Sequence, residues 1–488
     1  MNTKSSGTSL SDTALPDQTE GVKTLLGDPR NAIIKLAMPM ILAMSAQTIY
    51  NVVDALWVSG FGADVFSNVS VPETGPGALA AIGFVLPFFM MIIALSTGLG
   101  VGAGSAISRR IGAKDKAGAD NVAIHSIIII LVTAVVFSIL LFTFADRLFI
   151  AIGADVTAGM AISYGRVIFA GSIFIFFSNI AYAILRSEGD AKRAMYAMLF
   201  GAGLNIVLDP LFIYTFGLGV TGAAYATILS MGIASGILIF WLFFRKDTFV
   251  SFKFRGFKFD RAISKDIFRV GLPASVQQLS MSFTMLFLTI IIVQVAGGGE
   301  DGVAIYNTGW RIATIAILPL LGSATAVVSV TGAAFGARAY EKLNAAFMYA
   351  IKIGLLIEIV IAGAIFALAP FIVALFTTSP EAGEIRSGLE MFLRITCLFY
   401  PGAAFGIASS AMFQGTGKGT YALIATLLRT LILTSFLTVI FAFVFNLDLI
   451  GVWWGLVVAN LLGSIISFTW ATVYIRRLRT RATTPVVG

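Results

Sequence analysis

Between residues 34 and 475 the chain falls into twelve apolar runs of about 20 to 30 residues, separated by short polar or glycine-rich connections. At a rise of about 1.5 Å per residue, one such run in helical form spans the roughly 30 Å hydrocarbon core of a bilayer. The predicted spans cover residues 34–58, 78–103, 121–145, 159–185, 194–215, 220–244, 267–295, 303–333, 346–375, 388–412, 421–445 and 451–475. Segments such as 127–141 and 228–244 do not alternate in polarity, which excludes barrel strands. With 58% hydrophobic and 12% charged residues, the chain lacks the polar surface of a soluble domain. The expectation is an all-α polytopic membrane protein.

The connections sort by charge. Basic residues cluster before the first run and after every even-numbered one, for example Arg109, Arg110, Lys114 and Lys116, or Lys253, Arg255, Lys258 and Arg261. The opposite connections carry Asp64, Glu73, Asp146, Asp155, Glu300, Asp301, Glu381, Glu384 and Asp448. This asymmetry predicts a multi-pass protein of the cell membrane with both termini in the cytoplasm. It also assigns the net charge of +8 to topology and to anionic lipids at the cytoplasmic face, not to nucleic acid.

The longest basic connection, 245–266, divides six runs from six, and features recur across it. KLAMPM at 35–40 answers RVGLPA at 269–274, and ILRSEGDAKRAM at 184–195 answers AMFQGTGKGTYAL at 411–423. Because six is even, the halves are expected to be parallel repeats flanking a V-shaped cleft. The implied organisation is a disordered tail at 1–30, an amino-terminal lobe at 31–247, a linker at 248–265, a carboxy-terminal lobe at 266–477 and a second tail at 478–488.

Ionisable groups inside the runs are few and costly, so each is expected to face the bundle interior or a wet cavity. Asp54 and Asp209 lie in the amino-terminal half, Arg311 and Glu358 in the other. Asn51 precedes Asp54 by three residues and Asn205 precedes Asp209 by four, spacings that put each amide on the face of its acid. Pro210 removes a backbone donor and is expected to bend the fifth span. Two carboxylates in one dry cavity repel, so the pair is expected to hold a proton or a sodium ion between them. Further candidates for a cavity are Gln47, Tyr50, Tyr164, Asn179, Tyr182, Thr227, Gln277, Gln278 and Met281. Rings and thioethers with few fixed charges suit large, partly hydrophobic organic cations.

The chain resembles the multidrug and toxic compound extrusion (MATE) transporters, and within them the DinF-like branch. The resemblance rests on YNVVDALWVSGFG at 50–62, LAAIGF at 79–84, GLGVGAGSAISRRIGA at 98–113 and GLNIVLDPLFIYTFGLGVTGAAYAT at 203–227, in that order. It implies export of cationic or amphipathic drugs in exchange for protons or sodium, by alternating access. It further implies a cation-coupling set of Asp54, Asn205 and Asp209 with Tyr164 and Thr227 beside them, and Pro39 as a bending point of the first helix. The segments GLPASVQQLSMSFTMLFLTIIIV of the seventh span and YPGAAFGIASSAMF of the tenth hold no acid, which argues against the carboxy-lobe sodium site of the NorM-like branch.

A flippase for a lipid-linked saccharide or another polar lipid is the alternative; it would need deeply placed basic groups, and only Arg311 stands out. Enzymatic chemistry is disfavoured because His125 is the one histidine and Cys397 the one cysteine. No cofactor is expected, no metal other than sodium at the acids, and the chain is expected to act as a monomer.

Overall fold

The structure, a computed structural model, describes residues 19–61, 74–154, 156–245, 247–255, 257–376 and 385–483. Asp64, Glu73, Asp155, Glu381 and Glu384 lie outside the described residues, as do residues 1–18 of the expected tail. Among the described residues twelve helices are long and apolar enough to cross a membrane, as the sequence predicts.

The amino-terminal bundle consists of α2 (Pro29–Val58), α3 (Pro76–Gly112), α4 (Lys116–Ala151), α5 (Ala158–Ser187), α6 (Ala191–Pro210) and α7 (Gly219–Ile239), preceded by the short α1 (Glu20–Leu26). Helices that begin at the basic end are fastened by acidic caps. Asp28 accepts from the Asn31 amide at 3.1 Å, Asp115 from Gly118 at 2.8 Å and Asp190 from Arg193 at 3.1 Å. Each satisfies a backbone donor that a helix start leaves open.

The second bundle contains α8 (Arg261–Gln294), α9 (Gly299–Ala316), α10 (Leu318–Gly336), α11 (Tyr340–Phe376), α12 (Arg386–Thr396), α13 (Tyr400–Gly415), α14 (Gly419–Leu427), α15 (Thr434–Val439) and α16 (Asp448–Thr483). Wider π turns at Leu428–Leu433 and Ile440–Val444 carry the α14–α15 passage on to the acidic end. The rings of Tyr306, Phe392 and Trp453 pack at the centre of this lobe, Phe392 edge-on to Trp453 at 4.7 Å.

Several boundaries differ from the expectation. Residues 20–26 of the supposed disordered tail form α1, capped by Thr19, with Val22 and Leu25 buried three residues apart on one face. The second span runs on to Gly112, because its glycines pack closely against neighbouring helices, which compensates for their weak helix propensity. The eighth passage is two helices broken at Ile317, where Pro319, lacking an amide hydrogen, starts α10.

The linker is a strap held on the amino-terminal lobe, and helix α8 begins within the segment assigned to it. Lys116 Nζ donates to the Phe249 carbonyl at 2.7 Å, Asp120 accepts from the Ser251 amide at 2.8 Å and Glu188 from the Val250 amide at 3.0 Å. His125 Nε2 accepts from the Asp260 amide at 2.7 Å, which leaves Nδ1–H to donate to the Asn121 carbonyl at 2.8 Å. The lone histidine is a tether.

Candidate functional site

Helix α6 carries Asn205 and Asp209 one turn apart, and both are buried. Asn205 Nδ2 donates to Asp209 Oδ1 at 3.0 Å and lies 3.5 Å from Thr227 Oγ1 on α7. Asp54, half-buried on α2, comes within hydrogen-bonding reach of Asp209. Tyr50 and Tyr164 lie within electrostatic reach of both acids, and Tyr182 neighbours Tyr50. Four helices thus converge on one carboxyl pair. Asp54 Oδ1, Asp209 Oδ2 and Asn205 Oδ1 are buried without a hydrogen-bond donor. Three orphaned oxygens on side chains so close together call for a proton or a small cation, since a buried acceptor left unmatched is expensive.

The local chain explains why the acids meet. Pro210 ends the regular helix, which widens into a π turn over Leu211–Thr215. On that turn Tyr214 donates its hydroxyl to the carbonyl of Trp57, with the Phe61 carbonyl 3.1 Å away. Val58, Ile213 and Tyr214 then pack in one apolar cluster. The end of α2 is therefore clamped to the segment just after Asp209. Pro39 lies inside an unbroken α2 and is buried.

A second feature lies between the bundles. A cavity of about 250 Å³ is lined by α3 and α5 on one side and chiefly by α8, α10 and α13 on the other, with the π turn after α14 contributing Arg429 and Thr430. Gln277, Gln278 and Met281 line it, as the sequence suggested. Gln277 Nε2 bridges Ser410 at 3.0 Å and Thr426 at 2.8 Å, and its carbonyl accepts from Gln414 at 3.0 Å. Asn179 is tied to Ser96 at 3.1 Å between α5 and α3. Asn51 is exposed, so the amide completing the acid pair is Asn205 and not the neighbour on α2; Gln47 is half-buried.

The basic side of this cavity is sealed by backbone packed on backbone. Gly102 has no room for a side chain, because a Cβ there would lie 2.4 Å from the Ile267 carbonyl and 2.8 Å from the Gly271 nitrogen. At the end of the seam, Gly112 abuts Ala333 and Gly336 abuts Arg109. Arg109 clamps Asp266 with two hydrogen bonds of 2.8 and 2.9 Å across the lobes, and the Ser105 hydroxyl reaches the Gln414 and Gly415 carbonyls.

Two features escape the sequence reading. Arg429 sits ten residues into the apolar α14 passage and is buried, the same signal that singled out Asp209, and the inventory of intramembrane charges omits it. Arg186, which the charge pattern places in the basic connection after the fourth predicted span, lines the central cavity at the end of α5. The premise that no deep basic group accompanies Arg311 is thereby overturned. Arg311 itself is exposed, and both carboxyl oxygens of fully buried Glu358 lack a partner, so these two do not pair.

The MatE family model matches the chain twice, at residues 39–211 and 273–445, which reproduces the repeat seen in the sequence. The chain is 28% identical over 430 residues to the multidrug export protein MepA of Staphylococcus aureus (strain NCTC 8325 / PS 47), covering 88% of this chain and 90% of that one. A solved structure described as the outward-facing conformation of a multidrug resistance MATE family transporter of the MOP superfamily is 48% identical. It superposes with a TM-score of 0.90 over 95% of this chain and all, 100%, of the other. A MOP superfamily transporter from Pyrococcus furiosus, described as having a binding pocket of reverse polarity that suggests a different function, is 48% identical with a TM-score of 0.89 over 95% of this chain and 100% of the other.

Proposed function

Since this chain belongs to the MATE family of secondary active transporters, we propose that it is an antiporter of the DinF-like branch, coupled to protons through Asp54, Asn205 and Asp209. The observation that carries this reading is the convergence of two acids and an amide, three of whose oxygens are buried without a donor. A proton on either acid supplies the missing donor and bridges the pair; its loss leaves two carboxylates face to face in a poorly hydrated pocket. Tyr164 and Thr227 close the set. Sodium, coordinated by the same oxygens, is the second ion this arrangement accommodates.

Placed by charge, the basic end of the bundle and both termini are cytoplasmic. The seam through Gly102, Gly112 and Gly336 then closes the cytoplasmic side, and the structure faces outward. In this state the acids take a proton from outside. Protonation reorganises the bridge between α2 and the α6 turn, through the Tyr214 clamp and the bend that Pro39 and Pro210 allow, and weakens the hold on cargo in the cleft. The seam then opens and the proton leaves inside. Reciprocity demands that cargo and proton each lower the other's affinity in at least one state. The chain is expected to work as a monomer, with anionic lipid along its basic face.

The test is transport by the full-length protein in liposomes under an imposed pH gradient, with a sodium gradient run separately, comparing wild type with Asp209→Asn. Proton-driven flux lost in the variant supports the site; flux driven by sodium alone keeps the site and replaces the ion. Equal flux in both proteins sinks the carboxylate mechanism.

A further inference from the structure

The central cavity is polar in one part and apolar in another, and its fixed charge has one sign. Arg429 projects into it from the π turn of the α14 passage, and Arg186 from the opposite wall. No aspartate or glutamate lines the cavity. Among the described residues neither arginine is within ion-pair distance of a carboxylate. The acids that accept protons lie in the amino-terminal bundle, away from this lining.

Arg429 is seated with care for an unpaired charge. Its side chain fills a slot opened by two glycines: a Cβ on Gly463 would sit 2.6 Å from the Arg429 Cβ, and one on Gly406 3.0 Å from its Nε. Nη1 donates to Asn460 Oδ1 at 3.2 Å, and Asn460 is fixed in turn by donating to the Leu456 carbonyl at 3.0 Å. A guanidinium has five N–H donors in a planar fork, and this neutral amide takes one of them. Leaving a cation so buried with no counter-charge is costly, and the shortfall is what a bound anion would supply. The irregular π turn that carries Arg429 is of the kind often found at functional sites.

Beyond the guanidinium the surroundings change. Gln277, Gln414, Thr426 and Ser410 form a hydrogen-bonded polar ledge, and past it the wall is Met281, Met285, Leu288 and Trp310. Such a gradient matches a molecule with one anionic head and an apolar body. The volume of about 250 Å³ is enough for the head and the first part of a chain.

We propose that the cavity between the lobes is a binding site for amphipathic anions of the phosphate or carboxylate class, with Arg429 holding the head, Arg186 facing it and the methionine-rich wall receiving the apolar body. The inference rests on the antiport reading only in treating this cavity as part of the cargo route. The acids of the amino-terminal lobe then serve the coupling ion, and the cargo meets a basic wall.

Equilibrium binding to the purified full-length protein, without any gradient, tests it. The probe is dodecyl phosphate, with inorganic phosphate, dodecanoate and dodecyltrimethylammonium as competitors. Wild type is expected to bind dodecyl phosphate and to release it to dodecanoate but not to the ammonium analogue. Arg429→Gln is expected to weaken binding about tenfold or more, since it removes the charge-assisted hydrogen bonds to the head. Arg429→Lys should recover part of that loss, and Arg186→Gln, which leaves the buried slot intact, should weaken binding independently. Inorganic phosphate competing as well as the alkyl phosphate would support an anion site whose natural source is a free anion; poor competition by it supports a lipid-like source. Unchanged affinity in both arginine variants, or displacement by the ammonium as effective as by dodecanoate, overturns the proposal. Failure of the antiport reading would show separately, as gradient-driven flux indifferent to Asp209→Asn with anion binding intact.

Discussion

A methyl group added at Gly102 should open the seam between the lobes. In the closed structure the new Cβ of Gly102→Ala meets the Ile267 carbonyl at 2.4 Å and the Gly271 nitrogen and Cα at 2.8 and 2.9 Å. All three are backbone atoms of α8, so no side chain can swing aside and the two lobes must part locally. Overpacking of this kind costs about 1–3 kcal/mol. If the strain is confined to the closed state, the closed-to-open ratio falls by a factor of about 5 to 150. The assay uses Cys397→Ala, which removes the one cysteine, and Ala333→Cys as a reporter buried in the seam against Gly112. Reaction of the reporter with a polar maleimide then measures how often the seam opens. Gly83→Ala on the same helix is the control, because a Cβ there meets nothing within 4 Å. The labelling rate should rise in Gly102→Ala and stay near the parental rate in Gly83→Ala. Equal rates in all three, with unchanged thermal stability, would refute the claim that glycine-mediated backbone contact holds the lobes closed.

Loss of the Arg109–Asp266 pair by Asp266→Asn should act in the same direction but by less, about 0.5–2 kcal/mol, because both groups are partly solvated; labelling of the Ala333→Cys reporter should respond to salt in the parental background and not with Asp266→Asn added. Glu188 lies at the basic end beyond α5, where burial pushes its carboxyl from the ordinary 4.5 up to about 8 against the opposing hydrogen bond from Val250, with Asp190 and Arg193 its charged neighbours. The docked form therefore keeps a proton that a released Glu188 loses, so between pH 4.5 and 8 rising pH should weaken the strap on the amino-terminal lobe. Hydrogen exchange at residues 247–251 should quicken across that window in wild type and stay flat in Glu188→Gln; a rate that slows with pH after correction for intrinsic exchange would contradict it. The transport of Asp209→Asn and the anion affinity of Arg429→Gln complete the set.

Much of the architecture was legible in the chain because a bilayer leaves little freedom. Every backbone polar group must be satisfied within its own segment, so a run of apolar residues long enough to cross has to be a helix. The repeat and the number of passages follow from composition and spacing alone. The pairing of Asn205 with Asp209 was readable for the same reason, since helix geometry fixes which neighbours share a face.

What the one-dimensional pattern could not decide was which faces meet. Asn51 and Asn205 are both amides spaced for a neighbouring acid, yet only Asn205 joins the buried pair, because the rotation of α2 is set by packing of Val58 against the turn after Pro210. Arg186 reads as a loop charge until α5 is seen to end beside the cavity. Arg429 is visible as a charge in an apolar run, but that it faces a cavity free of acids depends on α3, α5 and α8 closing around it. Helix formation in a membrane is a local property of sequence, whereas the sign of the charge in a cleft is a sum over helices far apart in the chain, and only their packing supplies it.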